Sequence, residues 1–182
     1  MKNFSYTIKE GEHKGETLWS GRYCAVLAMT VVQQVIKDEL KHFLLVSKRG
    51  KGTPNYQGCW NIQCGFLECD ETGAMCASRE TFEECGVTVD PSEYRLFSVL
   101  TDPSVDKNVT LRYGAILNDF PEHNKDYKGS GGEKDEVENV KWLDLDDEEF
   151  INKSKWAFNH KEIIGELKKQ IEIINKNKNY LK

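Results

Sequence analysis

Glu80, Glu83 and Glu84 stand at i, i+3 and i+4 within the stretch GFLECDETGAMCASRETFEECGV, residues 65–87. Advancing about 100° per residue from Glu80 puts Glu83 at about 300° and Glu84 at about 40°, so on a helix the three carboxylates share one narrow face. Like charges at these separations destabilise an isolated helix by roughly 0.2 to 0.5 kcal/mol per pair. Arg79 can pair with Glu83 one turn on, but one cation does not balance three anions. A hard divalent ion does. All-oxygen ligation favours magnesium or manganese over zinc, which prefers His and Cys. On spacing alone the stretch reads either as a metal-binding helix that handles a phosphate-containing substrate or as an ordinary solvated acidic face.

Positioning these groups requires a bounded helix on a packed support. Thr72 suits an N-cap and Gly86 a left-handed residue beyond the C-terminus, which brackets a helix over 73–85, about thirteen residues and roughly 20 Å long. The arc opposite the acids carries Ala74, Met75, Ser78, Thr81, Phe82 and Cys85, and is expected to pack against a sheet. Cys76 falls near the acidic arc and reads as a bystander. Apolar, β-branched runs predict strands over 23–35 and 42–47, pairing antiparallel across a polar break at 37–41. Further strands are expected over 59–65, 94–100, 108–117 and 137–143, with a leading strand over 4–8. Trp60 is either a core residue or a stacking partner for a base. Residues 48–58 have loop composition; the cations Lys48, Arg49 and Lys51 either clamp phosphate, Arg49 with bidentate geometry, or line a solvated turn. A polar loop is expected over 119–132 and a short acidic helix start over 144–150. Ile163, Leu167, Ile171 and Ile174 mark the buried stripe of an amphipathic helix over 160–174, followed by a frayed lysine-rich tail over 176–182.

The chain has 182 residues, 38% hydrophobic and 30% charged, which fits one globular domain over 1–182 with a proper core. The net charge of −5 and a pI near 5.5 argue against nonspecific nucleic-acid binding, which relies on a basic face. The six cysteines form no C-x-x-C pair and read as reduced, mostly buried thiols in the cytoplasm. The N-terminus is too polar for a signal segment, and the apolar run 23–32 is about half of a membrane span. No membrane partner is expected, and the sequence is compatible with a homodimer.

The pattern G-x5-E-x7-R-E-U-x-E-E-x-G-U, with U a bulky aliphatic residue, is filled in register by Gly65, Glu71, Arg79, Glu80, Glu83, Glu84, Gly86 and Val87. Thr81 departs from it where an aliphatic residue is usual, which is expected to weaken packing slightly and leave the chemistry untouched. This stretch resembles the Nudix box, the signature of the Nudix hydrolases; the likeness is close within the box, looser in the strands around it and uninformative at the termini. The resemblance implies a single α/β/α sandwich, of the α/β (α+β) class, with a mixed sheet. It implies Mg²⁺-dependent (or Mn²⁺-dependent) hydrolysis of the pyrophosphate linkage in a nucleoside diphosphate joined to another moiety. The Gly65 carbonyl, Glu80, Glu83 and Glu84 would hold metal, Arg79 would orient the carboxylates, and Glu71 would be structural. Nudix proteins place the loop after the second strand near substrate, which favours Lys48 and Arg49 as substrate contacts. Many also complete the site with an acidic residue about six positions before a Trp. Glu136 fits, six before Trp142, with Glu133, Asp135 and Glu138 as competitors, and either Glu83 or Glu136 would be the base. The alternative is a Nudix-fold module that senses a nucleotide without cleaving it.

Overall fold

The computed structural model describes residues 5–7, 9, 11–12, 14–19, 23–122 and 135–180. Two short strands, β1 (Ser5–Thr7) and β2 (Thr17–Trp19), pair with each other at the N-terminus. The main sheet has seven strands: β3 (Cys24–Ile36), β4 (Glu39–Arg49), β5 (Trp60–Asn61), β6 (Gln63–Phe66), β7 (Arg95–Leu100), β8 (Val109–Leu117) and β9 (Val137–Asp144). It is mixed, because β3 runs parallel to β8 while its other pairings are antiparallel.

The hairpin β3–β4 is tighter than the polar break predicts. Lys37 and Asp38 both adopt left-handed backbone, so a two-residue turn lets β4 begin at Glu39 rather than at residue 42. The two strands then pair only over 31–36 and 39–44 and diverge beyond. The segment expected to be one strand over 59–65 fills this wedge as two. Asn61 and Trp60 pair with β4, whereas Gln63 to Phe66 pair with β3. At the break, the Ile62 N–H donates to His160 Nδ1 at 3.0 Å.

Alternation along the strands divides the core between two faces. Leu27, Met29, Val31, Leu44 and Val46 point one way, toward Ile163, Ile164, Leu167 and Ile171 of α3 (His160–Tyr180). Val26, Ala28 and Leu45 point the other way, toward Cys76, Ala77 and Cys85 of α1 (Gly73–Cys85). The result is helix, sheet, helix, with a six-residue helix α2 (Glu148–Lys153) leading toward α3. Each fully buried Leu or Ile contributes about 1.5–3 kcal/mol.

Two expectations change, for α3 and for the cysteines, and the open alternative at Trp60 resolves toward the core. On α3, Ile174 is exposed and Ile164 fully buried, and the helix continues through 176–180 instead of fraying. Among the cysteines only Cys76 and Cys85 are buried; Cys24, Cys59 and Cys64 are partly exposed and Cys69 is exposed, in the loop leading to α1. Trp60 packs on the α3-side core, its ring 5.3 Å from that of Phe150 in a T-shaped contact. Phe4, Ile8, Glu133 and most of the 119–132 loop lie outside the described residues. No helix among the described residues is long and apolar enough to cross a membrane.

Candidate functional site

The box helix is capped as its sequence demands. Thr72 Oγ1 accepts from Met75 N, and Gly86, at φ 68°, donates its N–H to the Phe82 carbonyl. Its rotation differs from the expected one. Met75 and Phe82, placed on the core arc, are 45% and 46% exposed, while Cys76, Ala77 and Glu80 are buried. The acidic arc and the buried arc overlap because α1 stands over the wedge, so the glutamates turn toward β5 and β6 rather than toward bulk water.

Glu84 is gripped by three strands. Its carboxylate accepts from Ser47 Oγ of β4, Asn61 Nδ2 of β5 and Cys64 N–H of β6, each at 2.9 Å. Burial pushes this carboxyl up despite those three donors. Glu80, 8% exposed, is pushed up to about 7 by burial and by the charge of Glu84, against the opposing pull of Arg79. Gly65 makes room for it: a Cβ there would sit 2.0 Å from Glu80 Oε1.

Arg79 organises the outer side of the acids. Its Nη1 donates to Glu80 Oε1 at 2.6 Å and to Glu83 Oε2 at 2.9 Å. Its Nε and Nη2 grip Glu71 at 3.1 and 2.7 Å, and Nη2 also reaches the Phe66 carbonyl. Glu71 further accepts from the Glu68 N–H. Burial alone would raise the Glu71 carboxyl, yet these bonds together hold it below the usual range. Glu71 thus acts as an anchor for the arginine. Cys76 Sγ, buried beside this pair and pushed up mainly by burial, is 3.3 Å from Arg79 Nη2.

Thr81 is fully buried, and its hydroxyl lies 2.7 Å from both the Ala77 carbonyl and the Tyr94 hydroxyl, which in turn meets Thr30 Oγ1 at 2.6 Å. A satisfied polar chain occupies the place of an aliphatic contact.

In front of the acids lies a cavity of about 770 Å³. Glu80, Glu83, Glu84, Arg79, Arg49 and Glu136 all line it. Arg49 follows Ser47 on the same side of β4, and its Nε donates to the Asn55 carbonyl. Lys48 departs from this group: a bulge separates it from Arg49, and its Nζ lies 2.6 Å from Glu138 Oε1, away from the cavity wall. Glu136 is placed by backbone contacts, with Gly50 N–H donating to its carbonyl at 2.6 Å and Gly52 N–H to that of Asp135 at 3.0 Å. Ser47, Asn61 and the Cys64 N–H are the site groups that sequence reasoning missed. The one available signal is the serine that closes the apolar run 43–46.

The donor set, three carboxylates and the Gly65 carbonyl, has the hard-oxygen character that magnesium or manganese takes. Gly65 also leaves the space that a buried carboxylate needs there. Among the described residues, no three His, Cys, Asp or Glu side chains already converge as a ready-made metal cage, and Arg79 occupies Glu80 and Glu83.

The NUDIX domain family model matches residues 28–167. The fold resembles the NUDIX domain of Shewanella oneidensis NrtR, solved with ADP ribose, at 21% identity and a TM-score of 0.61, covering 84% of this chain and 90% of that one. It also resembles a bifunctional NMN adenylyltransferase/ADP ribose pyrophosphatase from Francisella tularensis, solved with AMP and a manganese ion, at 21% identity and a TM-score of 0.61. That match covers 82% of this chain and 42% of the other. A MutT/nudix family protein from Enterococcus faecalis matches at 21% identity and a TM-score of 0.59, over 81% of this chain and 61% of that one. None of the curated protein sequences compared with it matches.

Proposed function

The chain belongs to the Nudix family, and from that premise we propose that it hydrolyses the pyrophosphate linkage of a nucleoside diphosphate joined to a second moiety. The observation that carries this reading is the joint presence of Glu80, Glu83, Glu84, Arg79 and Arg49 on one cavity wall, with Glu136 facing in. The volume suits a nucleotide derivative.

Glu80, Glu83, Glu84 and the Gly65 carbonyl would hold magnesium or manganese, which when bound supplies positive charge to the phosphoryl oxygens. Arg79 keeps Glu80 and Glu83 aimed at the cavity through Nη1, with Glu71 fixing the guanidinium from behind. Glu83 or Glu136 takes the proton of the attacking water, both lying at the cavity surface. Arg49 contacts a phosphate from the β4 side. Lys48 contributes to phosphate binding only after leaving Glu138.

The second reading is a nucleotide-sensing module without turnover. It is favoured by the likeness of the fold to a NUDIX domain solved with ADP ribose bound.

A panel of ADP-ribose, a dinucleoside polyphosphate, NADH and nucleoside triphosphates, assayed with and without Mg²⁺, separates the two. Hydrolysis predicts magnesium-dependent release of a nucleoside phosphate from at least one of them. Glu83→Gln should then lower kcat at least about a hundredfold, the scale of a lost charge-stabilising group. Glu83 suits this test because it is partly exposed and bonds Arg79 within its own helix, whereas Glu84 ties three strands together. Millimolar Mg²⁺ should raise the Tm by mass action. Nucleotide binding without turnover across the panel would leave the sensing module as the answer.

A further inference from the structure

Beside the cavity, and outside its wall, two aromatic rings meet in the open. Tyr56, from the loop after β4, and Phe158, from the segment before α3, lie 4.6 Å apart between ring centroids at 53°. They remain 48% and 51% exposed, although Trp60, Phe150 and Trp156 close by are packed on the core. Both residues adopt left-handed backbone, at φ 57° and 52°, a conformation that bulky side chains rarely hold without a compensating constraint.

The constraints are visible. Gln57 Nε2 donates to the Lys51 and Thr53 carbonyls and ties the loop to itself. Residues 155–157 are zipped to β5, with Trp60 N–H donating to the Lys155 carbonyl and Ala157 N–H to the Trp60 carbonyl. The two rings are therefore presented from separately anchored segments. Arg49 joins them to the cavity, since its guanidinium lies 5.6 Å from the Phe158 ring centre while the same residue lines the wall.

We propose that Tyr56 and Phe158, with the Arg49 guanidinium beside them, are the seat of the nucleobase of the ligand whose phosphates enter the cavity. Half-exposed rings held in fixed orientation, Phe158 also backed by His160 at 5.2 Å between centroids, stack on a base with little ordering cost, and the arginine continues the contact toward the phosphates. This rests on the reading of the cavity as a nucleotide site, but not on turnover.

The test is equilibrium binding of AMP and of ribose 5-phosphate, which carries the same sugar phosphate without the base. Wild type should bind AMP more tightly, by about fivefold or more, the lower end of what one base–aromatic stack supplies. Phe158→Leu and Tyr56→Leu keep apolar bulk and remove the π-face. Each should weaken AMP by about fivefold or more and leave ribose 5-phosphate unchanged, with Tm values confirming that the variants are folded. Equal affinity for the two probes in wild type, failure of AMP to bind at millimolar concentration, or variants that weaken both probes alike would each overturn the assignment. Base discrimination that is lost in the variants, in a protein without turnover, would sustain it while ending the hydrolase reading. Turnover with no base discrimination would do the reverse.

Discussion

Gly65→Ala places one methyl group against the most enclosed of the three acids. The added Cβ would stand 2.0 Å from Glu80 Oε1, 2.2 Å from its Cδ and 2.5 Å from Oε2. To reach an ordinary contact the carboxylate must retreat by roughly 1 Å or more in an interior packed as densely as this one. It has little room, being 8% exposed with Arg79 Nη1 at 2.6 Å from Oε1. The obstacle is the end of a flexible side chain rather than backbone, so the stability cost belongs near the low end of overpacking, about 1 kcal/mol, or roughly 2–4 °C in Tm for a chain of this size. Activity is far less forgiving, since misplacing a reacting group by about 1 Å costs on the order of a hundredfold. The assay is the initial rate of Mg²⁺-dependent product release together with a thermal melt. The expected result is a fall in kcat of about a hundredfold with a small Tm change. Gly65→Ala combined with Glu80→Asp, which shortens the side chain by one methylene, should recover the melt and not the rate. A Gly65→Ala enzyme with wild-type kcat would refute both the placement of Glu80 and its role.

Acidification provides a second check on the metal-free protein. His160, buried and accepting from the Ile62 N–H, is pushed down to about 3 by burial and by the charges of Arg49 and Arg112, so its contribution is complete above its ordinary value of 6.5 and is lost as pH falls below it. Glu80, raised to about 7 from an ordinary 4.5, acts in the opposite sense: stability rises as pH falls through that window. Glu80→Gln should therefore lose about 2 kcal/mol more than wild type between pH 7 and pH 5 in denaturant unfolding, and identical slopes would contradict the assignment. Gly50→Ala drives a Cβ to 2.0 Å from the Asp135 carbonyl oxygen, a backbone atom that cannot swing aside. It should displace Glu136, lowering kcat with a stability cost of about 1–3 kcal/mol; an unaltered kcat would show that this backbone clamp does not matter to the reaction.

The box helix was legible to its last residue because both of its ends are written locally, in the Thr72 hydroxyl and the Gly86 backbone. Its rotation was not. A helical wheel gives the angles between residues but not which arc meets the sheet, and the usual rule that charges face water placed Met75 and Phe82 inside, where Cys76 and Glu80 belong. The partners of Glu84 were hidden for another reason. Ser47 and Asn61 lie 37 and 23 positions from it, and nothing local marks them as ligands of a carboxylate. Lys48 and Arg49 are consecutive and both basic, so they read alike; their separation comes from strand alternation and a bulge, which composition does not record. The break at Ile62 follows from the divergence of β3 and β4, a property of the sheet as a whole.

The parallel pairing of β3 with β8 bears on how the molecule assembles. The β3–β4 hairpin closes through a two-residue turn and can form early from neighbouring chain, whereas Cys24 must wait for Val109, nearly half the chain later. Non-local parallel pairing is slow, because loop entropy is lost before contacts repay it. The donors that grip Glu84 lie on β4, β5 and β6, all ahead of β8 in the chain, whereas Glu136 on the cavity wall follows it. A nascent or truncated chain ending ahead of β8 would carry the whole signature and the strands that grip Glu84, but neither Glu136 nor the parallel neighbour that braces β3.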